Sequence, residues 1–164
     1  MEKINIEKLG AGIGFDIHKT SIKPTKQKLK LLGLEWENYP RLIGHSDGDC
    51  AIHALTDAIL SASKLGDIGH FLGHENNQNK GISGQVILEK LKNLLNKEKI
   101  KLINASVQVI CQKPNINQRR FEAEKVLSTI LKCPISVLAT TTDKLGEIGK
   151  NKAIASQAIA LVIK

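Results

Sequence analysis

Two short segments of this chain have opposite periodicities, and together they require a strand and a helix. In GFDIH, Phe15 and Ile17 alternate with Asp16 and His18, so an extended backbone would place the acid and the histidine on one face. In HSDGDCAIHALTD, residues suited to start a helix come first, and apolar residues then recur at helical spacing. These apolar residues are Ile52, Leu55, Ile59 and Ala62.

The polar residues of these segments include three possible ligands for one metal ion. Asp49, His53 and Asp57 are four residues apart and would stack on the polar face of the helix. Asp16, His18 and His53 would supply one carboxylate and two imidazoles, with a fourth position left open as in a catalytic zinc-type site. Either segment alone is also compatible with an ordinary packed or exposed histidine, so the prediction depends on the rest of the chain.

Composition limits the class of protein. The 164 residues suffice for one domain with a substantial core. Only 3% of the residues are aromatic, so the core must be aliphatic and base stacking on aromatic platforms is disfavoured. The net charge of +8 would attract anionic ligands, but the lysines are scattered along the chain and do not identify a partner. We expect neither nucleic acid nor membrane as a partner.

The cysteines and the absence of a long apolar run indicate a compartment. Cys50, Cys111 and Cys133 are odd in number and lack CxxC spacing, which favours a reducing environment over a disulfide framework. No apolar run reaches the roughly 18 residues of a membrane span, and the first residues lack the apolar core of a secretion signal. We expect a cytoplasmic protein, or one inside an organelle after loss of a targeting peptide.

Apolar periodicity predicts alternating strands and helices without repeats. The predicted strands are 13–18, 28–32, 104–112, 135–142 and 154–163. The predicted helices are 49–63, 84–97 and 118–131. Three helices packed on one face of a mixed β-sheet give the α+β class.

Four segments occur in a characteristic order: GFDIH, HSDGDCAIHALTD, LGDIG at 65–69 and ATTTDKLG at 139–146. In this order they resemble the 2-C-methyl-D-erythritol 2,4-cyclodiphosphate synthase family of non-mevalonate isoprenoid biosynthesis. The resemblance implies one domain over 1–164, with 1–11 as an N-terminal extension, and a homotrimer with active sites between subunits. It also implies a phosphorus–oxygen lyase that converts 4-diphosphocytidyl-2-C-methyl-D-erythritol 2-phosphate to the 2,4-cyclodiphosphate and releases CMP.

The resemblance also assigns metals and catalytic groups. A Zn²⁺ or Mn²⁺ ion would bind the three ligands already identified, Asp16, His18 and His53. A Mg²⁺ ion that bridges the substrate diphosphate would bind Asp143, which stands where the family usually has Glu. The catalytic residues would be His45, as a transition-state stabiliser, and Thr141.

A substrate pocket for the cytidine diphosphate and the methylerythritol phosphate follows from the same resemblance. The matching residues are Ser46, Asp67, Gly69, His74, Cys111, Gln112, Lys113, Pro114, Asn115, Thr140, Thr142 and Lys150. Asp49 and Asp57 would fix the histidine tautomers, although capping or surface roles are equally compatible with their positions. The residues at 74, 115 and 150 depart from the usual family residues, and the cytidine segment is shorter than usual. These departures concern substrate affinity and leave the metal centre intact.

Two other functions are compatible with the same residues. A metal with a bound water could hydrolyse a nucleotide diphosphate, and a degenerate relative could keep a nucleotide or isoprenoid pocket without catalysis. Incorporation of solvent oxygen into the product distinguishes hydrolysis from cyclisation, because intramolecular attack uses no water at the reacting phosphorus.

Overall fold

The structure is a computed structural model that describes residues 6–22, 27–44, 46–73 and 81–164. The strands are β1 (Leu9–Thr20), β2 (Leu29–Leu31), β3 (Leu34–Trp36), β4 (Leu42–Ile43), β5 (Lys101–Ile110), β6 (Ile135–Thr140) and β7 (Ala153–Ile163). The helices are α1 (Cys50–Ser63), α2 (Ile68–Leu72), α3 (Gly84–Lys97), α4 (Arg120–Leu131) and α5 (Gly146–Gly149). Short 3₁₀ turns lie at Ile6–Lys8 and Ile116–Gln118.

Five strands form one mixed sheet in the order β4–β1–β7–β5–β6, and β2 pairs with β3 in a separate hairpin. Strands β1 and β5 both run antiparallel to β7, and β6 runs parallel to β5. The carboxyl ends of β1, β5 and β6 therefore lie along the same edge of the sheet. The α+β class is confirmed.

Helix α1 lies unusually close to β1, because small residues face each other on both elements. Every second residue of this part of β1 is a glycine that faces α1, and every fourth residue of α1 is an alanine that faces β1. Gly10, Gly12 and Gly14 lie against Ala62, Ala58 and Ala54. A Cβ at Gly14 would lie only 2.0 Å from the carbonyl oxygen of Ala54. The first turn of α1 is thereby held directly above the end of the glycine series.

One face of the sheet is covered and the other is open. The aliphatic core lies between the sheet, the hairpin and α1, α3 and α4, and 12 of the 14 residues of α1 are buried. Trp36 is the only buried aromatic residue in the described part of the chain, as the low aromatic content predicts. The opposite face exposes five large apolar side chains by 46–60%: Ile13, Phe15, Ile17, Leu138 and Ile159.

Most predicted elements are present with shifted ends, and α3 has the predicted bounds. Strand β1 begins at Leu9, which pairs with Ile163, so residues 9–11 belong to the sheet and not to a terminal extension. Strands β3 and β4 and helices α2 and α5 were not predicted, because two to five residues are too few to show a periodicity. No helix in the described ranges has the length and apolar character to cross a membrane.

Candidate metal centre and its surroundings

Three side chains from two elements converge at the end of the glycine series. Asp16 and His18 project from alternate positions of β1 towards α1, and His53 projects from the first turn of α1. The Oδ2 atom of Asp16 lies 2.9 Å from Nε2 of His18 and 2.8 Å from Nδ1 of His53, and the two nitrogens are 3.2 Å apart. The predicted convergence of these residues is confirmed.

In each imidazole, the ring nitrogen that does not contact Asp16 has a hydrogen-bond partner of its own. Nδ1 of His18 lies 3.0 Å from the carbonyl oxygen of Ile43, and Nε2 of His53 lies 2.7 Å from Oγ of Ser46. Because a carbonyl oxygen can only accept, Nδ1 of His18 carries a proton and the lone pair of a neutral ring lies on Nε2. Such outer contacts orient a metal-ligating histidine and select its tautomer.

The electrostatics of the cluster favour a shared cation. Burial raises the pKa of Asp16, but hydrogen bonds from His18 and His53 outweigh burial and bring the pKa well below its usual range. The hydrogen bond to Asp16 raises the pKa of His18, and partial burial opposes this only in part. A carboxylate that stays ionised between two imidazoles attracts a positive charge, whether that charge is a proton or a metal ion.

The donor set fits a zinc-like ion. Ligands about 2.0–2.1 Å from a tetrahedral zinc ion lie about 3.3 Å from one another, and the three donor atoms here are separated by 2.8–3.2 Å. The side chains of Asp16 and His18 remain 24% and 19% exposed, so the centre is open on one side. Two imidazoles and one carboxylate with an open side match a catalytic rather than a structural site.

Of the roles left open for Asp49 and Asp57, the structure has carboxylates that bind backbone groups. Asp49 is buried and accepts hydrogen bonds from the backbone N–H groups of Leu32, Gly33 and Ile52. Oδ1 of Asp57 accepts a hydrogen bond from the backbone of Ile68. Both carboxylates accept from backbone donors that a helix start and a turn leave without partners, and neither has a hydrogen bond to an imidazole among the described residues.

A second group of predicted residues lies at the same edge of the sheet but on other strands. We call residues 111–115 and 140–143 the β6 cluster, and Asp16, His18, His53 and Ser46 the β1 cluster. The segments of the β6 cluster are joined by a hydrogen bond from the N–H of Cys111 to the oxygen of Thr140. Because β7 and β5 lie between β1 and β6, the two clusters are about 14 Å apart across the sheet.

Within the β6 cluster, the turn after β6 has a defined shape. Asp143 has a left-handed φ of 51°, and its N–H donates to Oγ1 of Thr141. The hydroxyl of Thr142 donates to the carbonyl oxygen of Leu145. Thr141 and Asp143 are both exposed residues. They can therefore reach a ligand outside the chain.

The other predicted substrate residues have mixed surroundings. Asp67 caps α2, which contains Gly69, and Lys150 forms an ion pair with Glu147. Nε2 of Gln112 is buried without a hydrogen-bond partner among the described residues. Asn115 caps the 3₁₀ turn that follows it, whereas Lys113 and Pro114 are joined by a cis peptide bond. The predicted residues His45 and His74 lie outside the described residues.

Sequence reasoning missed two contributors to the β1 cluster. The carbonyl of Ile43 orients His18, but a backbone acceptor has no signature in the sequence. The glycines at 10, 12 and 14 set the distance between α1 and β1, and the sequence contains a pattern that indicates this contact. Glycine at every second position opposite alanine at every fourth position of a helix is the pattern of a close strand–helix contact.

Comparison with known proteins places the chain in a family. A family model described as YgbB matches residues 9–163. The chain is 41% identical to the 2-C-methyl-D-erythritol 2,4-cyclodiphosphate synthase of Cutibacterium acnes, covering 93% of this chain and 90% of that protein. It is also 41% identical to the bifunctional enzyme IspD/IspF of Clavibacter michiganensis, covering 94% of this chain but only 37% of that protein.

A solved structure shows the same fold. The structure titled IspF (Plasmodium falciparum) CDP complex superposes with a TM-score of 0.81 at 32% sequence identity, covering 97% of this chain and 98% of that chain. The chain spans little more than a third of the bifunctional relatives but nearly all of the single-function relatives. Because the family match includes the sheet, its helices and the three residues of the candidate metal site, this chain belongs to the YgbB family.

Proposed function

We propose that this chain is a 2-C-methyl-D-erythritol 2,4-cyclodiphosphate synthase that forms the cyclic diphosphate and releases CMP. The observation that carries the proposal is the convergence of Asp16, His18 and His53. The other ring nitrogen of each imidazole is oriented by a hydrogen bond. Similarity to the C. acnes enzyme over most of both chains supports the choice of reaction. We further propose that residues 1–164 form a single domain of this type.

In the proposed reaction an oxygen of the substrate's 2-phosphate attacks the β-phosphorus. A new phosphorus–oxygen bond closes the ring, and the bond from the β-phosphorus to the bridging oxygen breaks, so that CMP leaves with that oxygen. The substrate supplies both nucleophile and leaving group, and the chain therefore needs no covalent nucleophile. Its work is to hold the phosphates in line and to offset their mutual repulsion.

Within the β1 cluster, Asp16, His18 and His53 would hold a Zn²⁺ or Mn²⁺ ion. Such an ion, when bound, supplies Lewis-acid polarisation of a phosphoryl oxygen. With Nδ1 of His53 as a ligand, Nε2 carries the proton and donates to Oγ of Ser46, which also accepts from the N–H of Gly48. The hydroxyl hydrogen of Ser46 is then free to donate to the substrate, which fits its predicted role in binding.

The β6 cluster would bind the nucleotide. The CDP complex of the P. falciparum relative supports a cytidine nucleotide as the ligand. Residues 111–115 would recognise the cytosine largely through backbone groups, and the hydroxyl of Thr141 and the carboxylate of Asp143, both exposed residues, would face the diphosphate with a Mg²⁺ ion. His45 is assigned to transition-state stabilisation by resemblance, and His74, Asp67, Gly69 and Lys150 to substrate binding on the same basis.

We propose a homotrimer with its active sites between subunits. Support comes first from the open face of the sheet, where five large apolar side chains are about half exposed, since such patches mark protein interfaces. Support also comes from the separation of about 14 Å between the β1 and β6 clusters, which are on different strands of one rigid sheet. A neighbouring copy can bring its β6 cluster to the β1 cluster of the first chain.

The test is phosphorus NMR of the purified protein with the cytidylyl substrate, Zn²⁺ and Mg²⁺. We expect equal amounts of CMP and a cyclic diphosphate, and no product from His53→Ala with an unchanged circular dichroism spectrum. The reaction is repeated in ¹⁸O-labelled water. Label at the β-phosphorus, or CMP without the cyclic product, would show hydrolysis and overturn the proposal.

A further inference from the structure

Asp47 connects the loop before α1 to the start of α3. Its Oδ2 atom accepts a hydrogen bond of 2.8 Å from the backbone N–H of Gly84, the first residue of α3. Its Oδ1 atom accepts from the backbone N–H of Asp49 at 3.2 Å, and its own N–H donates to the oxygen of Ile82. Asp47 therefore fixes the loop both internally and against a separate helix.

The same loop carries the group that orients His53. Ser46 directly precedes Asp47, and Oγ of Ser46 lies 2.7 Å from Nε2 of His53 and 3.3 Å from the N–H of Gly48. A displacement of the loop would move Oγ away from the imidazole, because the hydroxyl is only one carbon from the backbone. The position of Ser46 thus depends on the anchor that the next residue provides.

The nearby carboxylate of Asp49 has a different structural role from that of Asp47. Asp49 is 1% exposed, caps α1 and binds the turn between β2 and β3, so its loss would affect folding. Asp47 is only partly buried, has no hydrogen bond to an imidazole of the described residues, and contacts the start of α3 instead of the core of α1. Asp47 can therefore be replaced while the fold is retained.

We infer that Asp47 is a positioning residue of the metal centre: by holding the loop to α3, it keeps Ser46 in place to orient His53. The inference rests on the metal site of the proposed function. Outer partners of metal ligands contribute about 10-fold to 100-fold in metal affinity, and Asp47 acts one contact further out. We expect Asp47→Ala to weaken zinc binding by about threefold to tenfold, less than Ser46→Ala does.

The experiment measures the zinc dissociation constant by competition with a chromophoric chelator, and thermal stability in parallel. The matched control is Ser83→Ala, which removes another hydrogen bond at the first turn of α3, from the N–H of Val86 to Oγ of Ser83. This control should lower the melting temperature and leave zinc affinity unchanged. A similar loss of zinc affinity in Ser83→Ala would show that stability of α3, and not the loop anchor, is responsible.

A double-mutant cycle tests the route through Ser46. If Asp47 acts by placing Ser46, Asp47→Ala should have little further effect on zinc affinity in a Ser46→Ala background. Additive effects, or wild-type affinity in Asp47→Ala, would overturn the inference. If the wild-type protein itself binds no zinc, the metal site of the proposed function fails instead, so the two failures are distinguishable.

Discussion

Replacing Gly14 with alanine is expected to separate the metal ligands. The added Cβ would lie 2.0 Å from the oxygen of Ala54 and 2.6 Å from the nitrogen of Ala58, against an ordinary contact of about 3.4 Å. Both neighbours are helix backbone, so the clash is relieved only if α1 moves about 1.4 Å away from β1. His53 is next to Ala54 and would move with it.

This displacement is large compared with the tolerance of a metal site. Nδ1 of His53 is 2.8 Å from Oδ2 of Asp16, and a shift of about 1.4 Å would bring that distance to about 4 Å. Metal–ligand distances are held to within about 0.2 Å, so we expect zinc affinity to fall at least about 100-fold. Overpacking should also lower the free energy of unfolding by about 1–3 kcal/mol.

Zinc affinity by chelator competition and urea denaturation of the metal-free protein measure the two effects separately. The matched control is Gly10→Ala, whose Cβ would lie 2.2 Å from the oxygen of Ala62. Because Ala62 is about 13 Å along α1 from His53, this variant should lose similar stability but less than about tenfold in zinc affinity. Equal losses of affinity in the two variants, or wild-type affinity in Gly14→Ala, would refute the reasoning.

Three further predictions concern other contacts. Zinc affinity should decrease as the pH falls through the pKa of His18, which the hydrogen bond to Asp16 raises above its ordinary value, because a proton then competes for Nε2; affinity independent of pH would contradict this. Phe15→Glu combined with Ile159→Glu should give monomers by light scattering that still bind zinc but are inactive; active monomers would exclude the proposed interface. Asp49→Asn should lower the free energy of unfolding by about 1–3 kcal/mol, since one buried backbone N–H loses its acceptor, and an unchanged urea midpoint would argue against that loss.

Local patterns were sufficient to predict the elements that hold the metal centre. Alternation in GFDIH placed Asp16 and His18 on one face of β1, and helical spacing after Asp49 predicted α1 to within one residue of its start. These patterns are readable because each element buries one face along its whole length. The meeting of the two elements could not be derived from either pattern, since their separation is set by the strand–helix contact at Gly14.

The role of Asp49 shows where the sequence was ambiguous. A carboxylate four residues before a histidine can face that histidine on a formed helix, or it can cap the helix from outside its first turn. The structure has the second arrangement, because buried N–H groups of the hairpin turn at Leu32 and Gly33 also need an acceptor. Leu32 and its acceptor Asp49 are 17 residues apart in the sequence. No local pattern reveals a partner at that distance.

Mixing inactive variants would test whether the two clusters belong to different subunits of one site. His53→Ala disables the β1 cluster and Asp143→Ala disables the β6 cluster, so each homotrimer should be inactive. In trimers refolded from an equal mixture, a site needs an intact β1 cluster from one copy and an intact β6 cluster from its neighbour. Random assembly meets both conditions at about a quarter of the sites, so about a quarter of wild-type turnover should return.

A matched mixture of two variants with defects in the same cluster distinguishes restoration of a shared site from a general stabilising effect of mixing the chains. His53→Ala with His18→Ala places both defects in the β1 cluster, and no arrangement of subunits then provides an intact one. We expect no turnover from this pair under the same refolding conditions. Should the first pair also remain inactive while native mass spectrometry shows mixed trimers, each site would have to be built within a single chain. The about 14 Å between β1 and β6 would then have to be spanned by the substrate itself.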